Sequence, residues 1–286
     1  METCTLNAYA KLNLTLDILA RREDGYHDLA MVMQSISLHD TVTVRVHTPA
    51  PGIVCRVAGA ALPADDSNLA VKAAKAFCAE VGLAPAGIEI DIEKRIPIAA
   101  GMAGGSTDAA AVIRALRQLL APSVGQEELE RIGALVGSDV PYCIRGGTAL
   151  AEGRGEKLTT LAPAPDFHTV ICKPDFPIST PVLFRLSDSC TLQQRPDMPA
   201  MLRAIGTGDH AAVAALVKNV FEEVLPEEYH EVFRIKERLL ASGACAAQMT
   251  GSGPTVFGLF TDPAAAQAAY TALARAYRQT YLEHFV

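Results

Sequence analysis

The sequence has no block of basic residues: 25 lysines and arginines stand against 32 aspartates and glutamates, a formal charge of −7 over 286 residues. Long-range attraction to nucleic acid or to an anionic membrane is therefore not expected, and any anion must be held by local geometry. No apolar run approaches the roughly 20 residues of a membrane span. The N-terminus lacks a charged segment followed by an apolar one, so no cleaved leader is expected and a cytoplasmic protein is. The seven cysteines, at 4, 55, 78, 143, 172, 190 and 245, include no Cys-x-x-Cys pair. That argues against a zinc or disulfide framework and for small core residues in a reducing compartment. No internal repeat is evident.

Hydrophobic residues make up 50% of the chain, enough for one large or two modest cores. Its most informative stretch is Pro97-Ile98-Ala99-Ala100-Gly101-Met102-Ala103-Gly104-Gly105-Ser106-Thr107-Asp108. Ile88 to Ile92 alternates like a half-buried strand before it, and Ala109, Val112, Ile113, Leu116 and Leu120 recur at helical spacing after it. Strand, glycine loop and helix start make a phosphate cradle, because glycines let backbone N–H groups turn inward and the helix end favours an anion. The loop lacks the Gly-Lys-Ser/Thr ending of a Walker loop and the three-glycine spacing of a dinucleotide fingerprint. A glycine turn packed against a neighbouring strand is the alternative.

Elsewhere, Leu6 to Leu16, Met31 to Leu38 and Thr41 to Val46 read as strands, with a turn at 48–52. Asn68 to Cys78 and Gln126 to Val136 read as helices, as do 197–205, 209–224, 227–241 and 263–277. A proline-rich connection, Leu161 to Asp166, precedes a strand at His168 to Cys172, and apolar runs at 245–249 and 255–260 flank Gly251-Ser252-Gly253. The expectation is an α+β protein of two domains, 1–160 and 161–286, with phosphates held at their junction.

Three segments, Ala8-Tyr9-Ala10-Lys11-Leu12-Asn13-Leu14 with Gly25-Tyr26-His27, the glycine loop, and Thr250-Gly251-Ser252-Gly253-Pro254, resemble the GHMP kinase superfamily. Together with Gly137-Ser138-Asp139-Val140-Pro141, they are similar to its branch acting in non-mevalonate isoprenoid biosynthesis. The resemblance implies a first domain like the second domain of ribosomal protein S5 and a ferredoxin-like second domain. It implies ATP-dependent phosphorylation of the 2-hydroxyl of a cytidine-diphosphate-bearing methylerythritol, with Mg²⁺. Asp139 would accept the hydroxyl proton; Lys11 would keep that carboxylate ionised and stabilise charge on the transferred group. Read alone, Asp139 is a turn or cap residue and Lys11 a solvated strand lysine.

The resemblance further implies that Tyr26, His27 and Phe184 hold cytosine, with Phe184 covering the face of the base opposite the aromatic plane. Gly251 and Ser252 would close over the substrate diphosphate. Pro97, Ala99, Gly101, Ala103, Gly104, Gly105, Ser106 and Thr107 would line the nucleotide phosphates, with Ser106 on the metal. Asp108 would reach the metal through water or favour the helix end, and Asn68 and Lys94 would lie near adenine. In isolation those two read as a helix cap and a solvated strand end, Tyr26 and Phe184 as core, and Gly251 as a hairpin turn. Asn13 shares the Lys11 strand face and would orient the hydroxyl or the aspartate, or serve as an edge hydrogen-bonding residue. The alanines at 99, 100 and 103, where the family loop is richer in glycine and serine, are expected at negative φ. The alternatives are another small-molecule kinase of the superfamily, a non-catalytic nucleotide binder, and an RNA-binding protein disfavoured by the acidic charge.

Overall fold

The computed structural model describes residues 1–50, 52–85 and 87–286, so the turn expected at 48–52 lies partly outside the described residues. Two compact units alternate along the chain: Met1–Ala10, Leu38–Ile98 and Ala103–Gly146 form one, and Lys11–Ser37, Ala99–Met102 and Gly147–Val286 the other.

The first unit holds the start of β1 (Glu2–Arg21), the end of β2 (His27–Val46), β3 (Ile53–Ala58), α1 (Leu69–Glu80), β4 (Ile88–Glu93), α2 (Gly104–Leu120), α3 (Gln126–Val136) and α4 (Val140–Arg145). Alternation builds its sheet. Leu38, Asp40, Val42, Val44 and Val46 are buried and the residues between them are half-buried, and Ile88, Ile90 and Ile92 repeat the pattern. Val42 and Val44 pair antiparallel with Ile92 and Ile90, while β3 runs parallel to β4 with Cys55 beside Ile90. Parallel neighbours need a crossover, and α1 supplies it. Helix α1 buries Ala70, Ala73, Ala74 and Phe77, and packs on α2, which buries Ala109 to Ile113. Small side chains on both helices allow the close approach.

The second unit adds β5 (Thr148–Gly153), β6 (Lys157–Thr160), β7 (His168–Lys173), α5 (Thr180–Asp188), α6 (Met198–Thr207), α7 (His210–Leu216), β8 (Lys218–Asn219), α8 (Glu231–Ala241), β9 (Ala246–Met249), β10 (Val256–Phe260), α9 (Pro263–Ala274) and β11 (Gln279–His284). Strands β11, β7, β10 and β9 form a sheet in that order with antiparallel neighbours, and α8 and α9 pack against it. The strand–helix–strand–strand–helix–strand succession of β7, α8, β9, β10, α9 and β11 is the ferredoxin-like arrangement. The second part of β1 pairs in parallel with β8, and β5 pairs antiparallel with the first part of β2.

Several local expectations change. The strands expected at 31–38 and 41–46 are one, because His39-Asp40 continues the alternation without a glycine or proline. The helix expected over 209–224 stops at Leu216: Lys218 and Asn219 extend to pair with Thr15 and Leu16, and a short 3₁₀ turn follows, so strand pairing overrides helical periodicity. Helix α8 starts at Glu231 after a separate 3₁₀ turn, and α9 ends at Ala274. Pro141 stands in the first turn of α4, where its missing N–H costs nothing. Cys55, Cys78, Cys143 and Cys172 are buried as expected, but Cys190 and Cys245 are exposed. Among the described residues, no helix is long and apolar enough to cross a membrane.

Phe77 is fully buried on α1. Replacing it with alanine leaves a cavity beneath α1, and urea unfolding of Phe77→Ala is expected to show a loss of about 3–5 kcal/mol.

Candidate active site

In the first unit, α2 begins at Gly104 directly after Ala103, whose φ of 58° is left-handed and whose side chain makes no capping bond. Ala99, in the second unit, also has a positive φ, 51°. The expectation of negative φ is thus corrected at both: the turn demands a glycine-like backbone, at a cost of roughly 1–2 kcal/mol for an L-residue. The opening amides of a helix lack intrahelical partners, so the start of α2 presents anion donors. Gly105 is exposed, and Ser106 is half-buried with its hydroxyl in no hydrogen bond among the described residues. Thr107 is different. Its hydroxyl donates to the Tyr9 carbonyl at 2.7 Å and its N–H to the Ala103 carbonyl at 2.9 Å, so its polar atoms serve the fold.

Lys94 is not a solvated strand end. Its side chain is buried, its ammonium donates to Asp40 and, at 2.7 Å, to Asp108, and it lies 3.4 Å from the Gly104 carbonyl. Asp40, fully buried on β2, also accepts the backbone N–H groups of Arg95 and Ile96. Burial pushes the Asp108 carboxyl up to about 7; Lys94 opposes that shift and Asp40 adds to it. Among the described residues, Oδ1 of Asp108 is buried without a hydrogen-bond partner. Asn68 caps α1, accepting the Ala70 N–H at 2.9 Å, and Pro97 is buried. Asp139 precedes α4 and is half-buried; its carboxylate makes no capping bond, so the cap alternative does not account for it.

The second unit gathers Lys11, Asn13, Gly101 and Gly251. Lys11 is 4% exposed, and its ammonium donates to Asn13 Oδ1 at 2.6 Å, as two residues on one strand face can. Asn13, fully buried, accepts the Gly251 N–H at 3.0 Å on that oxygen, and its own N–H donates to Thr250 Oγ1 at 3.0 Å. The Lys11 N–H donates to the Met102 carbonyl at 3.2 Å. Gly101 and Gly251, both at positive φ, press backbone on backbone. A Cβ at Gly101 would stand 2.3 Å from the Thr250 carbonyl oxygen, and one at Gly251 2.7 Å from the Gly101 carbonyl oxygen. The Gly251 loop is the hairpin connection of β9 to β10, and it is also part of this cluster.

Tyr26 is 55% exposed with the Arg154 guanidinium over its ring. His27 is buried and lies parallel to Phe184, ring centroids 4.5 Å apart, so the imidazole already covers one Phe184 face. Its Nε2 lies 2.7 Å from Asp188 Oδ1. A carboxylate only accepts, so Nε2 carries a proton and donates to Asp188. Ser252 Oγ lies 2.5 Å from Thr180 Oγ1.

Sequence reading missed Asp40, Asp188, Thr180 and Thr250. Two of them left a signal: Asp40 is a carboxylate on the apolar face of a strand, and Asp188 stands four residues after Phe184, one helical turn away.

Models of the GHMP kinases N terminal domain and of the GHMP kinases C terminal match residues 68–147 and 201–279. The chain therefore belongs to the GHMP kinases, and is an ATP-dependent small-molecule kinase of their two-domain fold. It is 44% identical over 277 residues to the 4-diphosphocytidyl-2-C-methyl-D-erythritol kinase of Clostridium tetani, covering 97% of this chain and 98% of that one. A crystal structure of 4-(cytidine 5'-diphospho)-2C-methyl-D-erythritol kinase matches with a TM-score of 0.82 and 32% identity, covering 99% of each chain. Within the superfamily, the chain belongs to the family of these kinases, which serves isoprenoid biosynthesis. Homoserine kinase from Cytophaga hutchinsonii shares the fold, with a TM-score of 0.75 at 17% identity over 100% of this chain and 95% of that one.

Gly101→Ala is expected to lose at least about 2 kcal/mol in urea unfolding, because positive φ and the backbone overlap penalise the same methyl group. Ala103→Gly, which relieves a left-handed alanine, is expected to lie between neutral and about 1 kcal/mol more stable. Equal effects at the two positions would contradict this description of the loop.

Proposed function

We propose that the chain transfers the γ-phosphoryl of ATP to the 2-hydroxyl of 4-diphosphocytidyl-2-C-methyl-D-erythritol, giving the 2-phosphate and ADP. The observation that carries this reading is Lys11: a buried ammonium, oriented by Asn13, on the same asparagine oxygen that holds the Gly251 loop. Burying a long cation is costly unless it is hydrogen-bonded and used. Phosphoryl transfer uses such a charge, since its demands are positioning and stabilisation of oxygen charge more than covalent chemistry. Lys11 stabilises the charge on the transferred group, and Asp139 accepts the proton of the crowded tertiary hydroxyl. Asn13 orients the reacting groups.

The nucleotide phosphates lie along Pro97, Ala99, Gly101, Ala103, Gly104, Gly105, Ser106 and Thr107, with adenine beside Asn68. Lys94 and Asp108 act on the first turn of α2 through their ion pair. Among the described residues no three His, Cys, Asp or Glu side chains cluster as a metal cage. Mg²⁺ suits that donor set, because it is characteristically held by nucleotide phosphates plus one or two protein oxygens, here the unengaged Ser106 hydroxyl. When bound, the ion neutralises phosphate charge. Cytosine is held by Tyr26, His27 and Phe184. Gly251 and Ser252 face the substrate diphosphate. The reading keeps 1–160 and 161–286 as the two kinase domains, one family model falling in each. It places the enzyme in the cytoplasm, acting on a small molecule without nucleic acid or membrane.

Lys11→Ala and Asp139→Ala are each expected to lower kcat at least about 10²-fold while nucleotide binding, followed by calorimetry, is retained. Near-normal turnover would remove that residue from the reaction. Tyr26→Ala is expected to raise KM for the cytidylyl substrate sharply and to leave KM for ATP unchanged; equal effects on both would remove Tyr26 from the base site.

A further inference from the structure

From residue 246 to residue 260 every residue is buried except Ser252. The loop that carries Ser252 is held by a residue far away in sequence. Asn219, fully buried, is the second residue of β8 and pairs with Leu16 of β1. Its Nδ2 gives one hydrogen to the Met249 carbonyl at 2.8 Å and the other to the Gly251 carbonyl at 2.9 Å, while its Oδ1 accepts the Phe221 N–H at 3.0 Å. Both amide donors are thus spent on carbonyls two residues apart in one loop.

A trans peptide points its carbonyl and the following N–H in opposite directions. With the Gly251 carbonyl fixed on Asn219, the Ser252 N–H is turned away from Asn219. The neighbouring amides are taken: Gly251 N–H by Asn13 Oδ1, and Gly253 N–H by the Thr250 carbonyl. Among the described residues no hydrogen bond engages the Ser252 N–H, and Ser252 is where the loop meets solvent. Beside it stand two hydroxyls, Ser252 Oγ and Thr180 Oγ1, 2.5 Å apart. One outward amide, together with the one hydroxyl proton that the Ser252–Thr180 hydrogen bond leaves over, is a donor set for phosphate oxygens.

We infer that Asn219 is a positioning residue for the reaction: it sets the polarity of the Gly251 loop so that the Ser252 N–H donates to a non-reacting phosphate oxygen of the nucleoside diphosphate acceptor. This rests on the reading of that loop as facing the substrate diphosphate. Asn219 touches neither substrate nor nucleotide; its effect passes through two peptide planes. Removing its amide frees both carbonyls and lets the Gly251–Ser252 peptide turn over.

Steady-state kinetics of Asn219→Ala and Asn219→Asp, with thermal melts of each, test this. KM for 4-diphosphocytidyl-methylerythritol is expected to rise at least about tenfold in both, with KM for ATP held within about threefold. Lowered melting temperatures with both KM values unchanged would make Asn219 merely structural and overturn the inference. Should either variant fail to fold, the wild-type enzyme labelled with ¹⁵N-serine decides: titration with the same compound is expected to move the Ser252 amide downfield, and an unmoved Ser252 amide overturns the inference. If the wild type neither binds nor turns over the compound, the substrate reading itself falls, and this inference with it; that outcome is visible before any variant is made.

Discussion

Much of the second unit's chemistry depends on the contact between the Gly101 and Gly251 backbones. No side chain fits there, since a methyl on either glycine would overlap a carbonyl oxygen of the other segment. The contact brings Thr250 and Gly251 against Asn13, which uses one oxygen for both the Gly251 N–H and the Lys11 ammonium. Met102, next to Gly101, takes the Lys11 N–H. The buried cation is therefore set by a chain of short backbone approaches. The catalytic role proposed for Lys11 would gain from such support, because rate falls steeply with small misplacement.

Buried charge follows the same logic in the first unit. Asp40, Lys94 and Asp108 bury two carboxylates around one ammonium. Buried ion pairs are poor contributors to net stability, because desolvation offsets most of their attraction. What this one achieves is directional: Asp40 ties Lys94 to the chain at Arg95 and Ile96, and Lys94 reaches the first turn of α2 through Asp108 and the Gly104 carbonyl. The helix end that would meet phosphate is fixed from behind.

The parts legible in the sequence are local. The strand, glycine loop and helix from Ile88 to Leu120 follow from period and composition, and Lys11 and Asn13 share a face because they are two apart on a strand. The residues that complete the site were not legible, because each acts across a long separation. Asp40 meets Lys94 fifty-four positions away and His27 meets Asp188 across 161. Asn219 lies inside a stretch whose periodicity reads as helix, and only its pairing with Leu16 shows it as strand. The left-handed backbone of Ala103 was hidden too, since alanine carries no signal for positive φ where glycine would.

On the function proposed above, this fold phosphorylates an alcohol bearing cytidine diphosphate. Purified protein given Mg-ATP and, separately, 4-diphosphocytidyl-methylerythritol, mevalonate, phosphomevalonate or homoserine tests it directly, with ADP release followed and products identified by mass spectrometry. One phosphorylated product is expected, from the cytidylyl compound alone. Phosphorylation of a base-free alcohol instead, or no phosphorylated product from any of the four, would contradict it.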